Sequence, residues 1–338
     1  MRFLRFFDAV YADNAARSLA ERRSRIPDWL RYARNTVLRP LDDCLAARDR
    51  RHARPIVFVV GAPRSGTTLL YQLMARHLEV AYICNEIARY WSAPLVGARL
   101  ARGRHGSQRP QALFRSRFGR DPDAFGPHEF SWFWHYWGDF REHDDLRDAE
   151  LSQVDWTAIA KRLSALAGYY RSPLVVKSIN FTDYQVETLA ERLPDARFLW
   201  IQREPLYCAQ SILEVRRRRY GDPALWWSVR PRDHHDWQDR APAEQVVHQI
   251  RDIEHALERS AAVLPPERFR RITYEQVVDT PARMLYELAD WLGTEIVDGP
   301  DLEALAFKNR NDVTVAPETL AALEHALEEG FDHEGSAS

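Results

Sequence analysis

Residues 56–70 read Ile56-Val-Phe-Val-Val-Gly-Ala-Pro-Arg-Ser-Gly-Thr-Thr-Leu-Leu70. The continuous apolar and β-branched run Ile56–Val60 is typical of a strand that is buried on both faces. A turn with two glycines follows, and the next segment, Leu69–Arg76, has its apolar residues at helical spacing. A strand, a glycine-rich turn and a helix in this order predict the opening of an α/β domain whose helix N-terminus binds a phosphate group.

Further apolar runs predict that the same architecture continues along the chain. A short strand is expected at Val80–Ile83. The other expected elements are the strands Leu174–Lys177, Arg197–Gln202 and Phe269–Tyr274 and the helices Tyr184–Leu193 and Pro281–Leu292. Because strands that alternate with helices form parallel sheets covered on both faces, we expect an α/β, three-layer fold: a central parallel sheet flanked by helices, with helical insertions.

The composition excludes several classes of protein. With 45% hydrophobic residues in a chain of 338, a sizeable core can form, which excludes a disordered chain. A formal net charge of −2 argues against a general nucleic-acid binder, so we expect no nucleic-acid partner. The longest apolar runs are too short to span a bilayer. Cys44, Cys84 and Cys208 are far apart and lack metal-ligand spacing, so we expect free thiols in a reducing, cytoplasmic compartment.

Composition also predicts how the chain is divided. Residues 1–54 carry 13 Arg against seven acidic residues and predict an N-terminal helical extension packed on the core, with a peripheral membrane contact through its first helix as the alternative. Residues 55–320 are expected to form a single domain, in which the irregular, tryptophan-rich stretches at about 87–150 and 221–245 are insertions. Residues 321–338 are assigned to a C-terminal tail.

The loop Gly61–Thr68 matches the phosphate-loop pattern of ATPases except at one position. Thr67 stands where that pattern requires Lys, so an ATP γ-phosphate would lack its usual partner. The backbone N–H groups and the hydroxyls of Ser65, Thr67 and Thr68 still form an anion cradle, and Arg64 adds a cation that can bond an anion through two N–H groups. None of the predicted strands ends in an Asp suited to Mg²⁺; the residues found there are Lys177, Arg203 and Tyr274. The pattern therefore favours a phosphate or phosphosulfate that is bound without a metal.

Three motifs resemble those of one enzyme family. Pro63–Thr68 is similar to the 5′-phosphosulfate loop of sulfotransferases that use 3′-phosphoadenosine 5′-phosphosulfate (PAPS), in the Arg-containing version of the bacterial and tyrosylprotein-type branch. Arg203–Ser211 resembles the family's second signature, in which an Arg at a strand end and a later Ser in the following helix hold the 3′-phosphate. Ile272–Pro281 resembles the family's Tyr-Glu segment near the nucleotide. The motifs follow the family's order, so the resemblance implies a P-loop-type sulfotransferase domain.

The resemblance implies which residues hold the co-substrate PAPS without a metal. The predicted binding residues are Arg64, Ser65, Gly66, Thr67, Thr68, Arg203, Ser211 and Tyr274. Arg216 is a further candidate, because the family has a basic contact about one turn after the Ser; its alternative role is a solvated helix end that balances the helix dipole. In the segment Phe307–Asp312, Lys308 and Asn311 are candidates for closing over the donor.

The resemblance also implies the catalytic residues. Related enzymes have their general base at the position of Glu86, which is therefore expected to take the proton of the acceptor hydroxyl. A helix cap is the alternative role for Glu86, and His128 and His135 are rival bases. Lys177 is one of only three lysines, and with Arg64 it is expected to stabilise the transferring sulfuryl group; its alternative is a surface lysine.

The expected activity is metal-independent, in-line sulfuryl transfer to a hydroxyl acceptor. We expect the two insertions to form the acceptor side, because Trp and Tyr rings bind sugars, phenols and lipids. A carbohydrate, lipid or small-metabolite hydroxyl is favoured over a peptide tyrosine. Two other functions stay open: an ATP-dependent kinase with a degenerate phosphate loop, and a nucleotide-binding protein without catalysis. The missing loop lysine argues against the first, and the presence of Glu86 and Lys177 argues against the second.

Overall fold

A computed structural model describes residues 2–11, 25–49, 54–105, 123–138, 143–297 and 302–332. Within these residues the apolar runs form a five-stranded sheet in the spatial order β2-β3-β1-β4-β5, in which every neighbouring pair is parallel. The strands are β1 Ile56–Val60, β2 Ala81–Tyr82, β3 Leu174–Lys177, β4 Arg197–Gln202 and β5 Phe269–Thr273. The predicted α/β fold with a central parallel sheet is thereby confirmed.

Helices connect the strands and cover the sheet. In chain order they are α1 Arg2–Tyr11, α2 Arg25–Asp49, α3 Thr67–His77, α4 Asn85–Ala88, α5 Pro94–His105, α6 Ser131–Gly138, α7 Asp148–Leu151, α8 Trp156–Tyr170, α9 Ile179–Thr182, α10 Val186–Arg192, α11 Pro205–Tyr220, α12 Pro242–Val263, α13 Tyr274–Asp279, α14 Pro281–Leu292 and α15 Pro317–Asp332. The predicted crossover helix is α10. The other predicted helix, α14, begins at Pro281 and ends at Gly293, whose φ of 64° is the left-handed cap that a glycine favours.

Both faces of the sheet are buried, because alternate residues of its strands point into two different cores. In β1, Val57 and Val59 share a core with residues of α3 and α14. Ile56, Phe58 and Val60 point to the opposite face and share a core with residues of α8 and α12. Each apolar side chain of this size stabilises the fold by about 1.5–3 kcal/mol when fully buried. The unbroken apolar run in the sequence therefore reflects a strand covered on both sides.

The N-terminal helices form a layer outside the helices that cover the sheet. In α1, Phe6 is buried and stacks on Trp91 with a ring-centroid distance of 5.6 Å. In α2, Asp43 accepts hydrogen bonds from Lys161 and Arg162 of α8. These contacts fasten both helices to the rest of the chain.

Two of the boundaries predicted from composition can be compared with the helices of the structure. Helix α15 crosses residue 320 and packs its Leu323 and Ala326 against α11 and α12. The first insertion contains α5, α6 and α7 among its helices, whereas its residues 106–122 and 139–142 lie outside the described residues, as do residues 333–338 of the predicted tail. The division into extension, domain and tail stays a prediction.

The parallel strands direct five separate segments to one edge of the sheet. Because parallel strands all end on the same side, whatever follows each strand lies along a common edge. The phosphate loop follows β1, and Glu86 lies shortly after β2. Lys177 is the last residue of β3, while Arg203 and Tyr274 directly follow β4 and β5. The fold thus gathers at this edge candidate residues that are far apart in the chain.

Candidate functional site

The phosphate loop is a tight turn that leads directly into α3. Three of its residues have positive φ angles: Gly61 at 143°, Arg64 at 73° and Gly66 at 105°. Gly66 is the N-cap of α3, and no side chain caps the first N–H groups of that helix. The buried hydroxyl of Ser65 has no hydrogen-bond partner within the described residues. Uncapped helix N–H groups and a buried unpartnered hydroxyl are the donors that an anion requires.

Arg64 connects the two predicted phosphate motifs. Its Nε donates a hydrogen bond of 2.8 Å to Oγ of Ser211, and its backbone oxygen accepts one of 2.9 Å from Nη1 of Arg203. Burial lowers the pKa of the Arg64 guanidinium, and the nearby positive charges of Arg203 and Arg310 lower it further. The cluster therefore brings cations together at a partly buried place, where a bound anion would relieve their repulsion.

The acceptors that bond the Arg203 guanidinium are neutral oxygens. The guanidinium lies 4.3 Å from the centroid of the Tyr274 ring. Besides its bond to Arg64, its Nε donates to Oδ1 of Asn311 at 2.8 Å, and its Nη2 donates to the backbone oxygen of Arg310 at 2.6 Å. Among the contacts between described residues, none gives Arg203 a carboxylate partner, so its positive charge stays available to an anion.

A C-terminal segment, Asn309–Thr314, lies over this cluster. The backbone N–H of Arg310 donates to the Tyr274 hydroxyl at 3.2 Å, and Nδ2 of Asn311 donates to Glu275 at 2.7 Å. Of the two loop residues predicted to close on the donor, the structure therefore brings Asn311 into the cluster. Lys308 has 80% of its side chain exposed and lies 3.4 Å from Asp312 instead.

Gln210 anchors this segment, and nothing in the sequence pointed to it. Its Nε2 donates to the backbone oxygen of Asp312 at 2.7 Å, and its Oε1 accepts from the N–H of Thr314 at 3.1 Å. Gln210 directly precedes Ser211, so one turn of α11 both contributes to the cluster and holds the segment above it. The 102 residues between Gln210 and Asp312 explain why no local spacing could reveal the pair.

Arg216 does not join the cluster. It lies five residues after Ser211, which turns it about 140° away around the helix. Its guanidinium is buried and donates to Gln245 at 2.8 Å and to Gln249 at 3.1 Å, both on α12, and it stacks on Trp226. Burial lowers its pKa to about 10. These contacts join α11 to α12 and oppose both the predicted nucleotide contact and the alternative of a solvated helix end.

Glu86 lies in the short helix α4, directly after β2. Two links fasten this region to the residues before α6: the N–H of Glu86 donates to the backbone oxygen of Ala124 at 3.0 Å, and a bridge joins Cys84 to Pro127. The Glu86 carboxylate is largely buried and forms an ion pair of 2.9 Å with Arg89, whose own side chain is 60% exposed. Because Arg89 is exposed, it can move into solvent and leave the Glu86 carboxylate free to accept a proton.

Lys177 is buried and paired with an acid that the sequence analysis missed. Its Nζ contacts Oε1 of Glu129, and the Ser178 hydroxyl donates to the backbone oxygen of the same residue. The predicted alternative, a surface lysine, is therefore wrong. Glu129 is 48 residues from Lys177 and follows no strand, so no spacing rule could indicate it.

Asp183 contacts the first residue of the phosphate loop. The N–H of Gly61 lies 3.4 Å from its Oδ1, and burial raises the pKa of this carboxyl well above its usual range, an effect that the charge of Lys177 opposes. Its Oδ2 has no hydrogen-bond partner within the described residues. The group links α9 to the start of the loop.

The two rival histidines take part in packing. Nδ1 of His128 accepts a hydrogen bond of 2.8 Å from the N–H of Phe130, and the ring of His135 lies edge-on to Phe181 with a centroid distance of 5.0 Å. These contacts give both histidines a structural role.

Among the described residues, no group of three or more His, Cys, Asp or Glu side chains is arranged to hold a metal ion. In the same part of the chain, no helix combines the length and the apolar character needed to cross a membrane.

Comparisons with known proteins agree with the motifs. The profile of the sulfotransferase family matches residues 55–298. The omega-hydroxy-beta-dihydromenaquinone-9 sulfotransferase Stf3, from Mycobacterium bovis and from Mycobacterium tuberculosis, is 23% identical over 265 residues, which are 71% of this chain and 63% of Stf3. Among solved structures, sulfotransferase STF9 from Mycobacterium avium has a TM-score of 0.45 at 19% identity and matches 82% of this chain and 68% of its own. Sulfotransferase STF1 from Mycobacterium tuberculosis has a TM-score of 0.48 at 14% identity and matches 96% and 85%.

Proposed function

This chain belongs to the sulfotransferase family, and from that premise we propose that it transfers a sulfuryl group from PAPS to a hydroxyl acceptor without a metal. The observation that carries the proposal is the convergence of Arg64, Ser211 and Arg203, which come from two motifs 139 residues apart. A nucleotide with phosphate groups at both its 5′ and 3′ positions needs two such cationic contacts side by side, whereas ATP needs one continuous cradle.

The residues present fit the donor. The 5′-phosphosulfate contacts the N–H groups of the phosphate loop, the hydroxyls of Ser65, Thr67 and Thr68, and the guanidinium of Arg64. The 3′-phosphate contacts Arg203 and Ser211. The support for this assignment is the unpartnered hydroxyl of Ser65, the uncapped N-terminus of α3 and the absence of a carboxylate partner for Arg203 among the described residues.

Three side chains carry the chemistry in this proposal. Glu86 takes the proton from the acceptor hydroxyl as the new O–S bond forms, and the bond between the sulfur and the bridging phosphate oxygen breaks. Lys177 and Arg64 stabilise the negative charge that develops on the sulfuryl group and on the departing oxygen. The products are a sulfate ester and 3′,5′-adenosine bisphosphate. Positioning and electrostatics supply most of the barrier reduction, as in phosphoryl transfer.

We favour a lipid, carbohydrate or small-metabolite hydroxyl as the acceptor. In the insertion that precedes β3, Tyr136 is buried and both Tyr136 and Trp132 pack on Phe6, so these rings fill the core and lend no support to an acceptor surface. The name of the relative Stf3 gives it a hydroxylated menaquinone, a lipid, as substrate. That name supports a lipid hydroxyl here only by similarity, since the match covers 63% of Stf3.

Sulfuryl transfer can be tested with PAPS labelled with radioactive sulfur. The protein is incubated with the donor, with EDTA present, and with separate lipid, carbohydrate and phenol acceptors. We expect label to appear in one acceptor class together with an equal amount of 3′,5′-adenosine bisphosphate. A parallel incubation replaces the donor and EDTA with Mg-ATP; transfer of phosphate to the same acceptors, without transfer of label from PAPS, would contradict the proposal in favour of a kinase.

Gly66 is expected to tolerate no side chain. Its φ of 105° strains any other residue, and a Cβ there would lie 2.8 Å from Cδ2 of Tyr274. Backbone strain of this kind costs about 1–3 kcal/mol, so Gly66→Ala should weaken binding of 3′,5′-adenosine bisphosphate about tenfold. Calorimetric titration measures the change, and Gly221→Ala is the matched control, because Gly221 also has a positive φ but has open space around it. Equal effects of the two variants on binding would argue against the role of Gly66.

Glu129 is expected to act as a positioning residue for Lys177. Glu129→Gln removes the charge that holds the ammonium group, so turnover should fall about tenfold while the affinity for 3′,5′-adenosine bisphosphate stays the same. Glu129→Asp, which restores the charge, should recover part of the loss. Steady-state kinetics with calorimetry separates the two quantities. A loss of affinity at unchanged turnover would contradict the assignment.

A further inference from the structure

The outer face of α2 carries an exposed apolar stripe. Leu30, Val37 and Leu41 are 60%, 76% and 53% exposed. At 3.6 residues per turn they lie within about 40° of one another around the helix and extend about 16 Å along it. Arg48 is exposed and falls within the same sector. The exposed Arg34 lies about 20° outside it, where it donates to the backbone oxygen of Arg89 at 2.7 Å and stacks on the Tyr90 ring. We call the three apolar residues and Arg48 the α2 stripe.

The acidic residues of α2 all point away from the stripe. Asp28 accepts a hydrogen bond of 2.6 Å from the Tyr11 hydroxyl, and Asp42 accepts from the N–H groups of Leu95 and Val96. Asp43 and Asp49 form ion pairs with residues of α8 and α5. The stripe therefore presents apolar groups and a cation, and α2 adds no carboxylate to it.

The first helix cannot supply the same surface. The aromatic residues that suggested a membrane contact there are used internally: Phe6 is buried and packs on Trp91, Trp132 and Tyr136. The exposed Leu4 of α1 lies one turn from the exposed Asp8. A carboxylate beside the single exposed leucine disfavours contact with an anionic surface.

We propose that the α2 stripe docks on an anionic lipid surface, with the helix axis parallel to the membrane plane. Three apolar side chains in line enter the boundary between headgroups and acyl chains, and Arg48 extends its charge to a lipid phosphate while its stem stays in apolar surroundings. A positive charge near an anionic leaflet adds electrostatic attraction.

A second copy of the chain fits this face less well. A symmetric contact between two α2 stripes would bury Arg48 of both copies without a carboxylate on either stripe to receive it. The outer face of a single helix also matches a flat lipid surface better than it matches a protein partner that presents a groove. Charge complementarity therefore favours lipid.

Cys44 offers a direct test. It is the exposed cysteine, whereas Cys84 and Cys208 are buried, and it lies within about 60° of the three apolar stripe residues around the helix. The thiol of the full chain is labelled with an environment-sensitive fluorophore, and vesicles are added without nucleotide. We expect a blue shift with vesicles containing about one third phosphatidylglycerol in phosphatidylcholine, no shift with phosphatidylcholine alone, and reversal by high salt.

Two variants distinguish binding through the α2 stripe from non-specific binding to vesicles. The double variant Val37→Asp, Leu41→Asp, labelled at the same thiol, should lose the shift and bind anionic vesicles at least about tenfold less in co-sedimentation. Val263→Asp is the matched control, since Val263 is 66% exposed at the end of α12 and is far from α2 in the chain. Circular dichroism checks that all variants keep their helical content.

Retention of vesicle binding by the double variant, or failure of the unmodified protein to bind anionic vesicles, would overturn the proposal. So would a dimer in solution that the double variant dissociates, which would assign the stripe to a second copy. The test uses neither PAPS nor acceptor, so its outcome is independent of the proposed sulfuryl transfer.

Discussion

Glu86→Gln should lower kcat for sulfuryl transfer at least about 100-fold, the usual contribution of a general base. The amide keeps the shape of the side chain but cannot accept the proton of the acceptor hydroxyl. Because the phosphate loop and Arg203 are untouched, the affinity for 3′,5′-adenosine bisphosphate should not change. Single-turnover kinetics measures the chemical step, and calorimetry measures the affinity.

The control for this variant is Glu267→Gln, an exposed residue just before the amino end of β5, at the opposite edge of the sheet from Glu86. It should have full activity. Loss of the ion pair with Arg89 could lower activity by disturbing α4 alone. Arg89→Gln tests this, since it removes the pair but keeps the carboxylate and should retain most activity. Full activity of Glu86→Gln would remove this residue from the mechanism and direct attention to Glu129.

Arg203→Ala should weaken binding of 3′,5′-adenosine bisphosphate roughly 10- to 100-fold, since a hydrogen bond to a charged group contributes about 1.5–3 kcal/mol. Binding of 5′-AMP, which lacks the 3′-phosphate, should weaken much less. We expect this difference because Arg64 bonds both Arg203 and Ser211 and so joins the two residues proposed to hold the 3′-phosphate. Among the described residues, Arg203 has no carboxylate partner that would compete for its charge. Calorimetric titration of both nucleotides gives the ratio.

Arg218→Ala, in the helix α11 that follows Arg203, serves as the control, because Arg218 is 70% exposed and pairs only weakly with Glu214 at 3.5 Å. It should bind both nucleotides as the unmodified protein does. Arg203→Ala also releases Asn311 and the backbone of Arg310, which loosens the segment over the cluster. A loosened segment alone would weaken both nucleotides equally, and that result would refute the contact between Arg203 and the 3′-phosphate.

The strands were predictable because both faces of the sheet are buried. A strand covered on both sides is mostly apolar, which is why Ile56–Val60 and residues 174–176 were visible as unbroken runs. The order of the strands in the sheet does not appear in any run. The strand order depends instead on which strands the connecting helices join and on which face of the sheet each helix covers.

The site was predictable where its residues follow a strand in the chain. Arg64 and Arg203 belong to local motifs, and the structure brings them together. Gln210 and Glu129 were missed because their partners are far away in the chain. Asp312 is 102 positions from Gln210, and Lys177 is 48 positions from Glu129. Arg216 was wrong for a different reason: the family's spacing of about one turn after the Ser leaves the exact register open, and the helix turns Arg216 toward α12.

The central claim is that this edge of the sheet binds a nucleotide phosphorylated at its 3′ and 5′ positions. The most direct test is thermal unfolding with 3′,5′-adenosine bisphosphate in EDTA, compared with 5′-AMP and with Mg-ATP. A ligand at about 100 times its Kd raises the free energy of unfolding by about 2.7 kcal/mol. We predict stabilisation by the bisphosphate that EDTA does not reduce, with little effect of 5′-AMP or Mg-ATP. Stabilisation by Mg-ATP alone would contradict the account and point to a kinase.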